Sequence, residues 1–342
     1  MEVPVYDLPT EAIAQVPVEP RHAARLLVSL DENRAPAHQT IAQLPELIGP
    51  GDVLVVNTSR VLPARLRLTK ATGAAAEVML VEPEGDAGLA STVWRALVRP
   101  GRRLPPGTVL CSDGHPVVEV GDRREDGCRQ VRLLVEDRSV EDLLADVGAV
   151  PLPPYIHREL ANPERYQTVY AQQAGSVAAP TAGLHLSEEV LARCRARGVQ
   201  IAPVDLAVGL ATFRPVTTAR AEDHVMHRER YRVPAETLVA CHEAARVIAV
   251  GTTTLRALET AAATGQLTGD TGLYIFGDYP FRVTDLLLTN FHQPRSSLLL
   301  LLEAFCGPRW RDLYALALAE GYRFLSFGDA MLVPRRGAGL NA

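Results

Sequence analysis

A block of short β-type segments between residues 65 and 136 most constrains the fold of this chain. Apolar stretches such as RLRLT, AEVMLVE and VWRALVR are separated there by Gly, Pro and Asp turns. Short strands at this spacing are typical of a small antiparallel barrel or sandwich. On either side of the block, capped helices alternate with apolar strands, which indicates a sheet covered by helices. We therefore predict an α/β fold, in which a mixed-sheet domain (1–64 and 151–342) carries an inserted small β-barrel domain (65–150).

The composition excludes several classes of protein. The chain has 342 residues, of which 22% are charged, and its net charge is −5. A negative net charge argues against binding nucleic acid over a broad surface, although it allows a local basic patch. The five cysteines form no CxxC pair, which argues against a disulfide scaffold and a thiolate zinc site. Neither a signal peptide nor a membrane-length apolar run is present. We expect a cytoplasmic protein without membrane contact.

Polar residues follow apolar strands in the second half of the sequence. In VIAVGTTTLRALE a strand ends at Gly251, and a threonine cluster opens a helix whose free N–H groups favour carboxylates or other anions. The same pattern also fits a plain capped turn. The segment TNFHQPRSS places Asn290 and His292 directly after a strand, at the edge where ligands bind in α/β sheets.

Histidines and isolated charges give further candidates. The small residues of GSVAAPTAGLHL, which end at His185, allow either close approach of a ligand or a tight loop. His224 and His227 would share a face on a helix, but no third ligand is near, so acid–base chemistry is as plausible as metal binding. Arg323 and Asp329 lie in an apolar closing segment and need partners, as a buried ion pair or in a site.

Taken in order, these motifs resemble one family, the S-adenosylmethionine:tRNA ribosyltransferase-isomerases of queuosine biosynthesis. The resemblance runs from Tyr6 to Leu332 and is carried by YDLPTEAIAQVPVEPR, GDVLVVNTSRVLPARL, PLPPYI, RYQTVYA, GSVAAPTAGLH, DHVMH, VIAVGTTTLRALE, LLTNFHQPRSSLL and YRFLSFGDAML. It implies transfer of the ribosyl part of S-adenosylmethionine to 7-aminomethyl-7-deazaguanine (preQ1) at the wobble position of tRNA. Isomerisation then gives epoxyqueuosine, and adenine and methionine leave.

The resemblance also implies partners and site residues. S-adenosylmethionine is consumed as a co-substrate without a metal or separate cofactor, the second partner is a tRNA with a GUN anticodon, and a monomer is expected. The residues predicted as catalytic are His185, His224, His227, Glu229 and Asp329. The residues predicted to bind substrate are Arg60, Thr181, Gly183, Arg214, Thr252, Thr253, Arg256, Glu259, Asn290, His292 and Arg323.

The sequence departs from the family pattern inside well-matched motifs. The segment LAVGLATF has Ala207 where the family usually has His, and Ala211 where it usually has Gly. Gln293 and Arg228 are further changes, and losing an imidazole removes one group that transfers protons or donates hydrogen bonds. The sequence leaves three alternatives: the tRNA enzyme, an enzyme that splits S-adenosylmethionine for a small-molecule acceptor, and a non-catalytic binding homologue.

Overall fold

The computed structural model describes residues 1–85, 88–125, 127–209, 212 and 215–337 of the chain. The chain forms two compact units. The first contains Met1–Arg60, Pro153–Gln173 and Ala179–Ala342, and the second contains Val61–Leu152 and Ala174–Ala178. The domain limits at residues 65 and 150 stay a prediction.

Both units contain β-strands, whereas the helices belong mainly to the first. The strands are β1 (Arg25–Val28), β2 (Ala37–Thr40), β3 (Asp52–Asn57), β4 (Ser59–Val61), β5 (Arg65–Lys70), β6 (Ala75–Pro83), β7 (Val93–Arg99), β8 (Thr108–Ser112), β9 (His115–Arg123), β10 (Arg129–Leu133), β11 (Gly148–Ala149), β12 (Gln173–Ser176), β13 (Gln200–Leu206), β14 (Glu229–Arg232), β15 (Arg246–Val250), β16 (Thr268–Thr271), β17 (Leu286–Asn290) and β18 (Ala330–Pro334). The α-helices are α1 (Leu44–Leu47), α2 (Val140–Val147), α3 (Glu188–Ala196), α4 (Ala235–Glu243), α5 (Thr252–Thr264), α6 (Ser297–Cys306) and α7 (Trp310–Ala319).

The first unit is built on a mixed sheet, as predicted. Its strand order is β16-β14-β13-β3-β15-β17-β18-β1-β2. The neighbours β13, β3, β15 and β17 run parallel, whereas β18 runs antiparallel to β17. Because β3, β15 and β17 are covered on both faces, they are almost continuous aliphatic runs rather than alternating ones.

Hydrophobic cores lie on both faces of this sheet. One contains Leu54 of β3 with Val190 and Leu191 of α3. The other contains Leu287 of β17 with residues of α5, α6 and α7. Two serines cap helix starts, as the pattern of capped helices predicts: Ser139 Oγ accepts the N–H of the third residue of α2, and Ser187 Oγ accepts that of α3.

The second unit contains the predicted β-barrel. Its strands follow the antiparallel order β5-β6-β7-β10-β9-β8, and β8 pairs again with β5, which closes the barrel. Alternate residues along β7 point inward: Trp94, Ala96 and Val98 are buried.

Two local features differ from the sequence-based expectation. The apolar segment LYIF, whose composition predicts a strand, is irregular, because the preceding β16 ends at Thr271 and no described strand pairs with 273–276. The segment between Asp223 and Glu229 is not helical, so His224 and His227 do not present a common helix face. No helix among the described residues has both the length and the apolar character that a membrane crossing requires.

Candidate active site

The carboxyl ends of the parallel strands β13, β3, β15 and β17 meet at one edge of the sheet. Asn57, the last residue of β3, connects two of the segments at this edge. Its Oδ1 accepts the Leu206 N–H at 3.1 Å, and its Nδ2 donates to the Leu206 carbonyl at 3.0 Å and to Thr253 Oγ1 at 3.4 Å. Asn57 therefore fixes the end of β13 beside the start of α5.

The turn after β15 presents the N-terminus of α5 to this edge. Gly251 has φ +88°, a left-handed value that favours glycine, and α5 begins at the next residue. The side chains of Thr252 and Thr253 are buried at the first turn. Two small cavities of about 30 Å³ each adjoin this edge, and one of them touches both threonines. Hydroxyls and free N–H groups at a helix start suit a carboxylate.

Asn290, at the end of β17, joins two other predicted site residues. Its Oδ1 accepts Thr181 Oγ1 at 3.1 Å, and its Nδ2 lies 2.9 Å from His185 Nε2. The same Nδ2 lies 3.2 Å from the carbonyl of Leu325, a residue with a left-handed φ of +67°. Since Nδ2 can only donate, His185 Nε2 is the acceptor and the proton of the neutral ring is on Nδ1.

His185 and His292 are buried neutral imidazoles. Burial, with the charges of Arg323, Arg165 and Arg21, lowers the pKa of His185 to about 3. Burial also lowers the pKa of His292 to about 3, and its Nε2 lies 3.0 Å from Thr289 Oγ1. The Nε2 atoms of both rings are therefore occupied by partners inside the protein.

Glu229, His227 and Arg256 form a charged cluster beside the end of β13. Glu229 is 3% exposed and its carboxylate accepts the Gly209 N–H and Thr212 Oγ1, both at 2.9 Å. Its other oxygen accepts Arg256 Nη1. His227 Nε2 is buried and lies 3.3 Å from Glu229 Oε1, without a hydrogen bond of good geometry.

The cluster keeps Glu229 ionised. Burial by itself raises the pKa of this carboxyl, but the charge of Arg256, the contact with His227 and the N–H of Gly209 together lower it to about 2. Arg256 also donates Nε to the Leu273 carbonyl at 3.0 Å, while its buried Nη2 has no hydrogen-bond partner.

His224 lies on the same irregular segment but in a different environment. Its ring meets the Tyr274 ring edge-on, with centroids 5.4 Å apart. Burial, and then the charge of His227, lowers the pKa of His224 below its usual value. The two histidines are thus distinguished by their partners, an aromatic ring for His224 and a carboxylate for His227.

Three predicted site residues, Asp329, Arg323 and Arg60, have partners within the protein. Asp329 accepts the N–H groups of Arg25 and Arg323 at 2.9 and 2.8 Å, and Arg323 Nη2 lies 3.6 Å from its carboxylate. The carboxylate therefore clamps two chain segments, which matches the buried ion-pair alternative. Arg60 pairs with Glu164 at 2.8 Å, and both side chains are largely exposed. Neither arrangement requires a ligand.

Gly183 and Glu259 also have structural explanations. A Cβ atom at Gly183 would lie 2.1 Å from the Tyr170 hydroxyl, so close packing alone requires glycine there. Glu259 is fully buried and accepts the N–H groups of Arg282, Val283 and Thr284 at 2.8, 3.1 and 3.1 Å. It holds the turn that leads into β17, and a substrate role for it stays a prediction.

Some site residues were not singled out from the sequence, and others cannot be placed. Asn57 could have been found by the rule that selected Asn290, because both end apolar strands at the same edge. Thr212 gave no such signal, since its contact with Glu229 joins distant segments. Arg214 and Ala211 lie outside the described residues. Within the described part of the chain, no group of three or more His, Cys, Asp or Glu side chains is arranged to hold a metal ion.

Comparison with known proteins identifies the family. A family model described as "Queuosine biosynthesis protein" matches residues 4–333. The chain belongs to this family. It is 47% identical over 329 residues to the S-adenosylmethionine:tRNA ribosyltransferase-isomerase of Rubrobacter xylanophilus, with 96% of each chain covered. It is 45% identical to the protein of the same name from Thermotoga maritima, with 96% of this chain and 98% of the relative covered.

A solved structure supports the fold. The crystal structure of S-adenosylmethionine tRNA ribosyltransferase from Thermotoga maritima matches with a TM-score of 0.54 and 35% identity, over 96% of this chain and 99% of that chain. In the present chain, Ala207 directly follows β13, and its N–H donates to the Arg230 carbonyl at 2.9 Å. Position 207, where the resemblance implies a histidine, is therefore at the same edge as Glu229 and Arg256.

We expect the conservative variant Glu259→Gln to destabilise this family member by about 1–3 kcal/mol. An amide has one acceptor oxygen, so at least one of the three N–H groups of 282–284 loses its partner and faces an NH₂ group. Urea unfolding measures the change, with Glu243→Gln, an exposed residue at the end of α4, as the matched control. Unchanged stability together with a raised KM for S-adenosylmethionine would instead support direct substrate binding.

Proposed function

We propose that this protein transfers the ribosyl moiety of S-adenosylmethionine to 7-aminomethyl-7-deazaguanine at the wobble position of tRNA and isomerises it to epoxyqueuosine. Adenine and methionine are released. The observation that carries the proposal is the family match over residues 4–333, together with relatives named for this activity at 45–47% identity over nearly the whole chain. With this support, the change at Ala207 is proposed to leave the tRNA activity in place.

His227 is proposed as the group that moves a proton. The sulfonium of S-adenosylmethionine acidifies its adjacent C5′ protons, and a positioned base removes one of them. His185 and His292 fit this role poorly, because both are buried with pKa values lowered to about 3. The His227 side chain is 27% exposed, and the Glu229 carboxylate behind it stabilises the imidazolium formed when the ring takes a proton.

The remaining site residues are proposed to bind and orient the substrates. The start of α5, with Thr252 and Thr253, suits the methionine carboxylate or the ribose hydroxyls. Thr181 and Asn290 line both small cavities at this edge. Arg256 fixes Glu229 and has one unpartnered nitrogen for a further acceptor.

The proposal extends to partners and location. S-adenosylmethionine is consumed as a co-substrate, and no metal or separate cofactor is proposed. The second substrate is a tRNA with a GUN anticodon that carries preQ1. We further propose that the protein acts as a monomer in the cytoplasm.

One incubation tests the activity. The protein is mixed with S-adenosylmethionine and preQ1-bearing tRNA, adenine is quantified by chromatography, and the modified nucleoside is weighed by mass spectrometry. We expect adenine release and the mass gain of epoxyqueuosine on the tRNA. A parallel reaction with free preQ1 is the control for the acceptor. Adenine release with the free base and none with the tRNA would overturn the proposal.

A further inference from the structure

A basic cleft lies in the barrel unit, outside the candidate active site. It is formed where the turn after β7 meets the end of β9 and the start of β10, and it has a volume of about 390 Å³. Its walls contain cationic and apolar side chains but no acidic residue, and they consist of Gly101, Arg102, Leu104, Pro105, Pro106, Arg123 and Arg129.

Arg129 forms the floor of this cleft and is a buried cation without a carboxylate partner. It is 4% exposed. Its guanidinium donates to the Gly121 carbonyl at 3.1 and 2.6 Å, to the Leu104 carbonyl at 2.6 Å and to the Gly101 carbonyl at 3.3 Å. These bonds satisfy the donors and fix the turn at 101–104, but they come from neutral carbonyl groups, and Asp122 acts on the charge of Arg129 only from a distance, without an ion pair.

The arginines at the rim are also unpaired. Arg102 and Arg123 are exposed, as is the neighbouring Arg103, and none of them makes an ion pair with a residue that the structure describes. Lys70 Nζ adds a further cation, 2.7 Å from the Arg103 carbonyl. Asp122 precedes Arg123 but forms no ion pair with it.

Other arginines of the same unit behave differently. Four of them have a carboxylate within ion-pair distance, in the pairs Arg65–Glu77, Arg95–Glu82, Arg124–Glu84 and Arg138–Asp146. Pairing is therefore common on this barrel, and the cleft is a place where positive charge is concentrated and left free. Such a cluster attracts polyanions, whose bound counterions are released when arginines replace them.

We propose that this cleft binds backbone phosphates of the RNA substrate. Arg102 and Arg123 make the contacts, and Arg129 holds the turn and adds to the positive electrostatic potential. The choice of RNA rests on the proposed function. The chain has a net charge of −5, so that RNA binding needs a local region of positive charge. Phosphate contacts position the RNA without reading its sequence.

Single charge reversals test the cleft in the full-length protein. Arg102→Glu and Arg123→Glu are each compared with Arg132→Glu, which reverses an exposed arginine on β10 outside the cleft. Binding of preQ1-bearing tRNA is measured over a range of salt concentrations, and steady-state kinetics are measured with each substrate varied. Arg129 is left intact because its bonds hold the backbone.

We expect each cleft variant to weaken tRNA binding by about tenfold and to reduce the slope of log K against log salt by about one. The KM for tRNA rises, whereas the KM for S-adenosylmethionine and the rate at saturating tRNA stay as in the wild type. Cleft variants that bind tRNA with the affinity and slope of Arg132→Glu would overturn the inference. Wild-type protein that binds RNA through the cleft without modifying it would instead count against the proposed function alone.

Discussion

Replacing His227 with glutamine is expected to slow adenine release from S-adenosylmethionine by about 10²–10⁴-fold, the range that a positioned acid–base group contributes. The imidazole has one nitrogen 3.3 Å from the Glu229 carboxylate and is partly exposed on its other side. Glutamine preserves polarity and approximate size but cannot accept a proton at neutral pH. The rate of adenine formation under single-turnover conditions measures the effect, because it excludes product release.

A matched variant controls for general effects of losing a histidine. His242 lies on α4 and is exposed, so His242→Gln is expected to keep the wild-type rate. Free imidazole added to a His227→Ala variant is expected to restore part of the lost rate, which a purely structural role would not allow. A wild-type rate in His227→Gln would remove this residue from the mechanism.

The variant His185→Gln tests whether His185 only positions Asn290 or transfers a proton itself. The glutamine carbonyl can still accept from Asn290 Nδ2, so a positioning role predicts a loss of about tenfold or less. A loss as large as that of His227→Gln, with unchanged stability, would move the base assignment to His185. The comparison is informative because the pKa of His185 is lowered to about 3 by burial and by nearby arginines.

Local patterns predicted much of the fold because their causes are local. Ser139 and Ser187 cap helices through their own backbone neighbours, and the aliphatic runs of β3, β15 and β17 reflect burial on both faces. By contrast, β14 has the sequence ERYR, whose three charges do not suggest a strand. It is a strand because β13 and β16 pair with it on either side, and such tertiary pairing overrides propensity.

The sequence predicted candidate residues at this edge of the sheet, but it did not predict which groups their side chains contact. The rule that ligands bind at the carboxyl ends of parallel strands selected Asn290 and the Thr252–Thr253 turn. The partners of Glu259 lie more than twenty residues away in a turn, and only coordinates show that its carboxylate faces backbone N–H groups. The sequence leaves two roles for Asp329 for the same reason, because the same sequence pattern is expected whether a buried acid binds substrate or holds chain segments together.

The second large effect is expected from Glu229→Gln, which should lower the free energy of unfolding by about 3–5 kcal/mol. The variant leaves Arg256, 2% exposed, as a buried cation without its carboxylate. It also weakens the acceptor for Gly209 N–H and Thr212 Oγ1, which shape the segment after β13. Urea unfolding followed by circular dichroism measures the loss, with Glu236→Gln, an exposed position on α4, as the control.

A second substitution distinguishes an unpaired charge from lost packing. In the double variant Glu229→Gln/Arg256→Met, the buried cation is removed and its volume is largely kept. We expect the double variant to regain much of the stability, because replacing a buried pair by apolar groups is often nearly neutral whereas breaking it is costly. A double variant as unstable as the sum of the single variants would show that the two side chains act independently.

The same ion pair sets a pH dependence in the acid range. The pKa of Glu229 falls from 4.5 in the unfolded chain to about 2 in the folded protein, because the charge of Arg256 and the surrounding donors outweigh burial. The stabilisation from this lowered pKa is fully present above pH 4.5 and is lost as the pH falls towards 2. Unfolding free energies measured across this window should therefore decline less steeply in Glu229→Gln than in the wild type. Parallel curves for the two proteins would contradict the lowered pKa and, with it, the Glu229–Arg256 ion pair that we place behind His227.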